Sequence, residues 1–341
     1  MSTRVPSNAD VAVTVEAPAR LHMGFFDLNG SLGRKYGSLG LTLEGLSTRV
    51  VLSRSGASSF GAESERAHGY LNRLRAVIDL PDGISVRILD SIPSHAGLGS
   101  GTQLALALGT AASRLTGADL STREIAHLLD RGARSGIGVA AFEQGGFVID
   151  GGRGSNDAPP PLIARLPFPP AWRILLVLDP TAAGLHGQAE SNAFANLQPF
   201  PEAESARLCR ELLICGLPAL AEADLAAFGK TITDLQNAIG DYFAPAQGGR
   251  YTSPRVAEAL NALSLGHVAC VGQSSWGPTG FAILPNEADA LRWRERLAAD
   301  FPSLDLMICC ARNRGGEATV IAQPGSLQAA SGVSDGHGPT H

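Results

Sequence analysis

Gly97, Gly99 and Gly101 alternate within Pro93-Ser94-His95-Ala96-Gly97-Leu98-Gly99-Ser100-Gly101-Thr102, directly before an apolar run of helical period at 103–115. Alternating glycines let a main chain approach an anion closely. The first amides of a following helix then point their donors, and the positive end of the helix dipole, at that anion. The chemistry this predicts is phosphate binding. Ser100 and Gln103 have the spacing of a capping box, which would start the helix at the cradle. The run is not a Walker loop, which needs Gly-Lys followed by Ser or Thr, and its spacing after Ile92-Pro93 does not fit the Gly-x-Gly-x-x-Gly dinucleotide turn. Packing alone also explains a glycine-rich turn, so other residues must decide.

Two further blocks hold residues of the right types. The first is Ala19-Arg20-Leu21-His22-Met23-Gly24-Phe25-Phe26-Asp27-Leu28-Asn29-Gly30, followed by Arg34-Lys35-Tyr36-Gly37-Ser38-Leu39-Gly40. Arg20 and His22 alternate with apolar residues, which predicts partial burial, and a buried charge needs a partner such as a phosphate or carboxylate. His22 equally suits a satisfied core histidine. Arg34 and Lys35 read either as anion ligands or as solvated surface charges, and Asp27 either as a partner of magnesium or arginine or as a turn cap before Asn29-Gly30. The second block, Gly272-Gln273-Ser274-Ser275-Trp276-Gly277-Pro278-Thr279-Gly280, sets a tryptophan among small polar residues, where its ring suits the wall of an aromatic site better than a core. Arg131 and Arg134 flank Ser135-Gly136-Ile137-Gly138, which reads as a loop. They would add positive charge at the cradle if the preceding helix returns beside the first, and a helix C-terminal charge explains them as well. Asp150 and Glu190 are carboxylates near glycines that the sequence leaves open between metal ligand and structural acid.

The elements that must position these groups follow from periodicity. Strands are predicted at 11–15, 49–52, 86–89, 174–178, 268–272, 281–284, 304–310 and 318–322. Helices are predicted at 101–115, stopped by Gly117, at 122–132 behind a Ser121–Glu124 capping box, around 203–238, at 254–265 and at 287–299. The proline-rich stretch 158–170 separates two lobes, and the final strand falls with the second. Residues 1–10 and 324–341 read as flexible tails. At 341 residues the chain can bury a sizeable core. A net charge of -5 removes the positive field that nonspecific nucleic-acid binding uses. Apolar runs too short to span a bilayer, and five cysteines without zinc-site spacing that read as reduced and mostly buried, predict a cytoplasmic protein with no membrane partner.

The run Pro-x-x-x-Gly-Leu-Gly-Ser at 93–100 resembles the central motif of the GHMP superfamily of small-molecule kinases. Together with the blocks at 19–40 and 272–280, it makes nearly the whole chain, tails excepted, similar to the β-ribofuranosylaminobenzene 5'-phosphate synthase family. The resemblance implies an α+β, two-lobed GHMP-kinase-like fold, with a β/α N-terminal lobe at 11–165 and a ferredoxin-like C-terminal lobe at 166–323. It implies transfer from 5-phosphoribosyl 1-diphosphate to 4-aminobenzoate with loss of carbon dioxide and diphosphate, for tetrahydromethanopterin biosynthesis, with magnesium and as a homodimer. The alternative acceptor, 4-hydroxybenzoate, stays open. On this reading Gly97, Gly99, Ser100, Gly101, Thr102, Arg131 and Arg134 bind diphosphate. Arg20, Arg34, Tyr36, Ser38, Gln273, Ser274, Ser275 and Trp276 bind substrate, His22 and Asp27 are catalytic, and no metal ligand is assigned. One departure matters: many GHMP kinases carry Ser-Gly-x-Asp where this chain has Ser135-Gly136-Ile137-Gly138, so a candidate base for phosphoryl transfer is gone. An ATP-dependent kinase, or a noncatalytic ligand sensor on the same fold, are the competing expectations.

Overall fold

The computed structural model describes residues 11–322 apart from Ser55, Asn156, Asp157 and His186, so the expected tails lie outside the described residues. Two antiparallel sheets organise it. The first contains β1 (Val11–Asp27), β2 (Gly37–Ser53), β3 (Ser85–Asp90), β4 (Phe147–Asp150) and β5 (Leu162–Leu166); the second contains β6 (Arg173–Leu178), β7 (Cys270–Gln273), β8 (Gly280–Leu284) and β9 (Asp305–Cys309). The last strand, β10 (Glu317–Ala322), returns to the first sheet and pairs with β1, giving the order β10-β1-β2-β4-β5 with β3 also on β2. This corrects its expected grouping with the second lobe.

Helices α1 (Ser64–Arg75), α2 (Ser100–Thr116), α3 (Thr122–Leu128) and α4 (Ile137–Glu143) belong to the first lobe. Leu104, Leu108, Ala111 and Leu115 of α2 are buried, as their spacing predicts, and Gly117 ends the helix in the left-handed conformation (φ 76°). Ser121 and Glu124 form both halves of a capping box. Ser100 and Gln103 do not. Gly99, at φ 87°, is the cap residue, so Ser100 is already helical, and the Gln103 amide donates instead to the Gly138 carbonyl at 2.9 Å. The expected loop at 135–138 is also corrected, because Gly136 starts α4 and Gly138 lies inside it. A Cβ at 138 would lie 2.9 Å from Thr102 Cγ2, so the glycine is what lets α4 close on the start of α2.

In the second lobe α5 (Gly187–Asn196), α6 (Glu202–Glu211), α7 (Leu217–Ala221), α8 (Leu225–Gln247) and α9 (Pro254–Leu265) come between β6 and β7, and α10 (Glu287–Asp300) between β8 and β9. With sheet order β7-β8-β6-β9 this is the expected ferredoxin-like arrangement. One apolar cluster joins Leu21, Leu39 and Leu41 of the first sheet to Ile174, Phe228 and Leu235 of the second lobe, so the lobes share a core. All five cysteines are free; Cys270 and Cys309 are buried, while Cys215 and Cys310 are exposed, fewer inside than expected. No helix among the described residues is long and apolar enough to cross a membrane.

Candidate active site

The alternating glycines form a tight bend that β1 and the β7–β8 turn hold from behind. Gly97 adopts φ 77°, and a Cβ there would lie 2.3 Å from the Ser274 carbonyl oxygen. Its own carbonyl accepts hydrogen bonds from Arg20 Nη1 at 2.6 Å and Ser274 Oγ at 2.7 Å, and the Arg20 amide donates to the Leu98 carbonyl at 3.2 Å. β-bulges in the β1–β2 register on either side of Arg20 and His22 re-aim these side chains toward the bend. Arg20 Nε is buried without a partner, and burial lowers the guanidinium pKa to about 10 against the opposing pull of Glu190.

A cleft of about 300 Å3 opens in front of this bend, lined by the cradle together with Arg20, Arg66, Arg131, Glu190 and Trp276. Arg131 stacks over the Tyr70 ring at 5.3 Å while the Tyr70 hydroxyl donates to the Gly101 carbonyl, and Arg131 Nε is also buried without a partner. Arg66 is a cleft residue that sequence reasoning missed. It donates to Ser94 Oγ at 2.6 Å and Ser100 Oγ at 3.4 Å and pairs with Glu63. Its sequence signal was only a basic position on α1, whose direction depends on how that helix docks. Three guanidiniums and one carboxylate therefore face one cavity whose floor is a helix N-terminus, an anion site by construction.

Behind Arg20 lies a buried hydrogen-bonded group centred on Asp150. Its Oδ2 accepts from Ser38 Oγ at 2.6 Å, Ser135 Oγ at 3.1 Å and the Gly136 amide at 2.8 Å, and its Oδ1 from the Gly152 amide at 2.8 Å. Burial pushes the carboxyl pKa up, and these hydrogen bonds pull it back. His22 Nε2 contacts Ser135 Oγ at 3.2 Å, and the His22 amide donates to Ser274 Oγ at 2.9 Å. Burial, and then the charge on Arg20, hold the imidazole pKa down to about 3, so it is neutral at ordinary pH.

Residues 65–146 match the GHMP kinases N terminal domain and residues 217–303 the GHMP kinases C terminal. The β-ribofuranosylphenol 5'-phosphate synthase of Archaeoglobus fulgidus is 34% identical over 327 residues, covering 90% of this chain and 99% of that protein. The chain belongs to the β-ribofuranosylphenol 5'-phosphate synthase family. The enzyme of that name from Methanothermobacter thermautotrophicus is 30% identical over 80% of this chain and 89% of its own length. Likeness of fold alone extends to a homoserine kinase from Cytophaga hutchinsonii (TM-score 0.60, 18% identity, 93% of this chain and 100% of that one). It extends also to the mevalonate diphosphate decarboxylase of Staphylococcus aureus (0.62, 15%, 91% and 98%). Membership of the β-ribofuranosylphenol 5'-phosphate synthase family makes this chain an enzyme, a pentosyltransferase on a GHMP kinase fold.

The other residues expected at the site of this synthase-family chain divide into two groups. Trp276 corrects its expectation: it borders the cleft, but its ring belongs to the core, 2% exposed, stacked on Phe243 at 4.1 Å and edge-on to Phe194 at 5.2 Å, with its indole Nε1 unpartnered. Ser275, Ser100 and Thr102 line the cleft, and Ser38 and Ser274 support it from behind. Gln273 is turned inward, accepting from the Thr252 amide and donating to the Ser275 carbonyl, so it shapes the turn. Arg134 and Tyr36 are not cleft-lining residues: the guanidinium pairs with Glu190 at 2.6 Å and lies 4.3 Å over Phe194, whose ring meets that of Tyr36 edge-on. Arg34 donates to the Gly151 and Gly152 carbonyls, and Asp27 accepts from the Asn29 and Gly30 amides. Both are turn supports outside the cleft, because backbone groups nearby claim their hydrogen bonds first. A larger hollow of about 730 Å3, at the far end of α2 beside Ser113 and Glu143, contains none of these groups.

Proposed function

We propose that this enzyme transfers the 5-phosphoribosyl group of 5-phosphoribosyl 1-diphosphate to the carboxyl-bearing ring carbon of a para-substituted benzoate. The carbon–oxygen bond at ribose C1 breaks, and diphosphate leaves with its electron pair. The aryl carbon bonds C1, and loss of carbon dioxide returns an electron pair to the ring. A hydroxyl or amino group para to that carbon supplies the electron density, so the protein has mainly to position the substrates and exclude water. The relatives' names contain a phenol, which supports 4-hydroxybenzoate as the acceptor beside the 4-aminobenzoate expected from the sequence. The product in either case is the class of C-riboside used for tetrahydromethanopterin.

The observation that carries the reading is a single cleft holding an anion cradle with two buried, unpartnered arginine Nε atoms, bordered by the largely buried Trp276. Among the described residues no cluster of three or more His, Cys, Asp or Glu suits a metal. Magnesium, implied by the family, would be carried on the diphosphate, with the Ser100 and Thr102 hydroxyls, and Glu190 where it shares its pairing with Arg134, as the oxygen ligands within the cleft. When bound it would neutralise charge gathering on the leaving oxygens. Gly138, packed on Thr102, leaves no room for the carboxylate many related kinases place there, which favours this reading over phosphoryl transfer.

The test is incubation of the purified chain with magnesium, phosphoribosyl diphosphate and either carboxyl-labelled 4-hydroxybenzoate or carboxyl-labelled 4-aminobenzoate. Labelled carbon dioxide and diphosphate should appear together and in equal amounts. ATP turnover on an alcohol, with neither product formed, would replace this reading by that of a kinase.

A further inference from the structure

Helix α1 and the turn before it bring Glu63, Arg66 and Tyr70 to the cleft at helical spacing, on one face. Glu63 is only 4% exposed, and its carboxylate pairs with Arg66 Nη2. Ser94 closes the triangle: its hydroxyl donates to Glu63 Oε1 at 2.8 Å and accepts from Arg66 Nη2 at 2.6 Å. These contacts occupy Nη2 and leave Nη1 facing the start of α2, where it meets Ser100 Oγ at a long 3.4 Å. A buried carboxylate beside an anion cradle opposes binding unless it fixes a cation there, and Glu63 fixes Arg66.

Tyr70 holds Arg131 in the same way, through its ring at 5.3 Å, while its hydroxyl donates to the Gly101 carbonyl. The two guanidiniums converge over Gly101. A Cβ there would stand 3.4 Å from Arg66 Nη1, 3.7 Å from the Tyr70 hydroxyl and 3.8 Å from Arg131 Cζ, so the glycine keeps open the space between them. A phosphoryl group over this point meets both guanidiniums and the first amides of α2. Arg20 stands apart from the pair, at Gly99, where a Cβ would lie 3.2 Å from its Cζ. Beyond Arg20 the cleft is lined by Leu185, Ser275 and Trp276, with no further arginine or lysine. The uncharged ribose and the arene suit that end, and the most highly charged part of the substrate suits the other.

We propose that Arg66 and Arg131 clamp the terminal phosphate of the diphosphate over Gly101, with Glu63, Ser94 and Tyr70 as positioning residues, and that Arg20 faces the phosphate bonded to ribose. This rests on the function proposed above. The order fixes the direction in which the substrate lies: the leaving group is anchored at the first lobe, and ribose C1 is presented toward the second. Because the guanidiniums are held before substrate arrives, little ordering remains to be done when diphosphate binds.

Calorimetry of the full chain with magnesium and diphosphate tests the clamp without turnover. Arg66→Lys and Arg131→Lys keep the charge and lose the fork, and each should weaken diphosphate binding about tenfold or more. Gly101→Ala keeps both arginines, fills the space between them with a methyl group, and should weaken it too. Glu63→Gln adds positive charge to the cleft, so charge alone predicts tighter binding, whereas the loss of an anchor for Arg66 predicts weaker binding. In the synthase assay these variants should raise KM for phosphoribosyl diphosphate and leave KM for the aryl acid unchanged. Wild-type diphosphate affinity in folded Arg66→Lys and Arg131→Lys, or tighter binding in Glu63→Gln, would overturn the proposal. So would a loss confined to ribose 5-phosphate, which would put the other phosphate over Gly101. Phosphorus-31 NMR of bound phosphoribosyl diphosphate, with the arene withheld, should show Arg66→Lys moving the terminal resonance more than the ester one; the reverse would refute the order. The double variant Glu63→Gln with Arg66→Met removes both charges together and keeps the test available if Arg66→Lys does not fold. A wild-type chain that binds diphosphate through Arg66 yet releases no labelled carbon dioxide would refute the function and leave the clamp standing as a diphosphate site.

Discussion

Gly97 and Gly101 look alike in the sequence, yet the cradle asks different things of them. At Gly97 a methyl group would meet the Ser274 carbonyl at 2.3 Å while the backbone holds φ 77°, so Gly97→Ala combines a backbone collision with left-handed strain. It should cost about 2 to 4 kcal/mol in urea denaturation and raise KM for phosphoribosyl diphosphate. Gly101 is helical, and the nearest atom to a Cβ there is Arg66 Nη1 at an ordinary 3.4 Å. Gly101→Ala should therefore leave stability unchanged or raise it by up to about 1 kcal/mol, the normal gain of alanine over glycine in a helix. Equal losses in the two variants would mean that the bend is not built as described. The types and spacing of residues 97–102 made the cradle legible. Arg66 and Ser135 were not, because each owes its place to contacts across 28 or more positions, Arg66 with Ser94 and Ser135 with His22 across 113.

Among the elements, β10 shows the same limit. Its residues read as a strand from their alternation, but its sheet is decided by pairing with β1 at the other end of the chain. Arg312 ties this closure together: only 2% exposed, it reaches Glu16 at 2.6 Å, Glu44 at 3.3 Å and Glu317 at 3.2 Å. Arg312→Met should lose about 2 to 3 kcal/mol, less than for a wholly buried pair because the glutamates keep part of their water. Its kcat at moderate temperature should stay at the wild-type value, since neither Arg312 nor any of its three glutamates lines the cleft. Local signals served where local chemistry decides. The Ser121 capping box was legible and real, whereas the identical spacing at Ser100 failed because Gly99 had already turned the chain into the helix one residue earlier. Likewise, Gly138 reads as a loop residue and is helical because α4 must pass close to Thr102.

At the scale of the whole molecule, the two lobes share a core, and His22 is buried on β1 between Leu21 and Met23 of that core, so unfolding exposes it. In the folded chain, burial and the Arg20 charge depress its pKa to about 3, while in the unfolded chain it returns to its ordinary value of 6.5. Between those values the unfolded state binds more protons than the native one, so this contribution to stability is complete above the unfolded value and is lost as pH falls toward the folded one. The slope approaches about 1.4 kcal/mol per pH unit. Asp150 acts with the opposite sign. Its pKa is raised by burial, so the native state holds a proton more tightly there and loses that stability as pH rises through the raised value. The two effects are separated by His22→Gln, which removes the first and leaves the carboxylate in place. Urea denaturation of both proteins from pH 6 to pH 4.5 should show the wild type losing stability more steeply, by up to about 1.4 kcal/mol for each unit. Parallel curves would mean that native His22 takes up its proton as readily as the unfolded chain does, and would remove the basis for a buried, neutral imidazole behind the cleft.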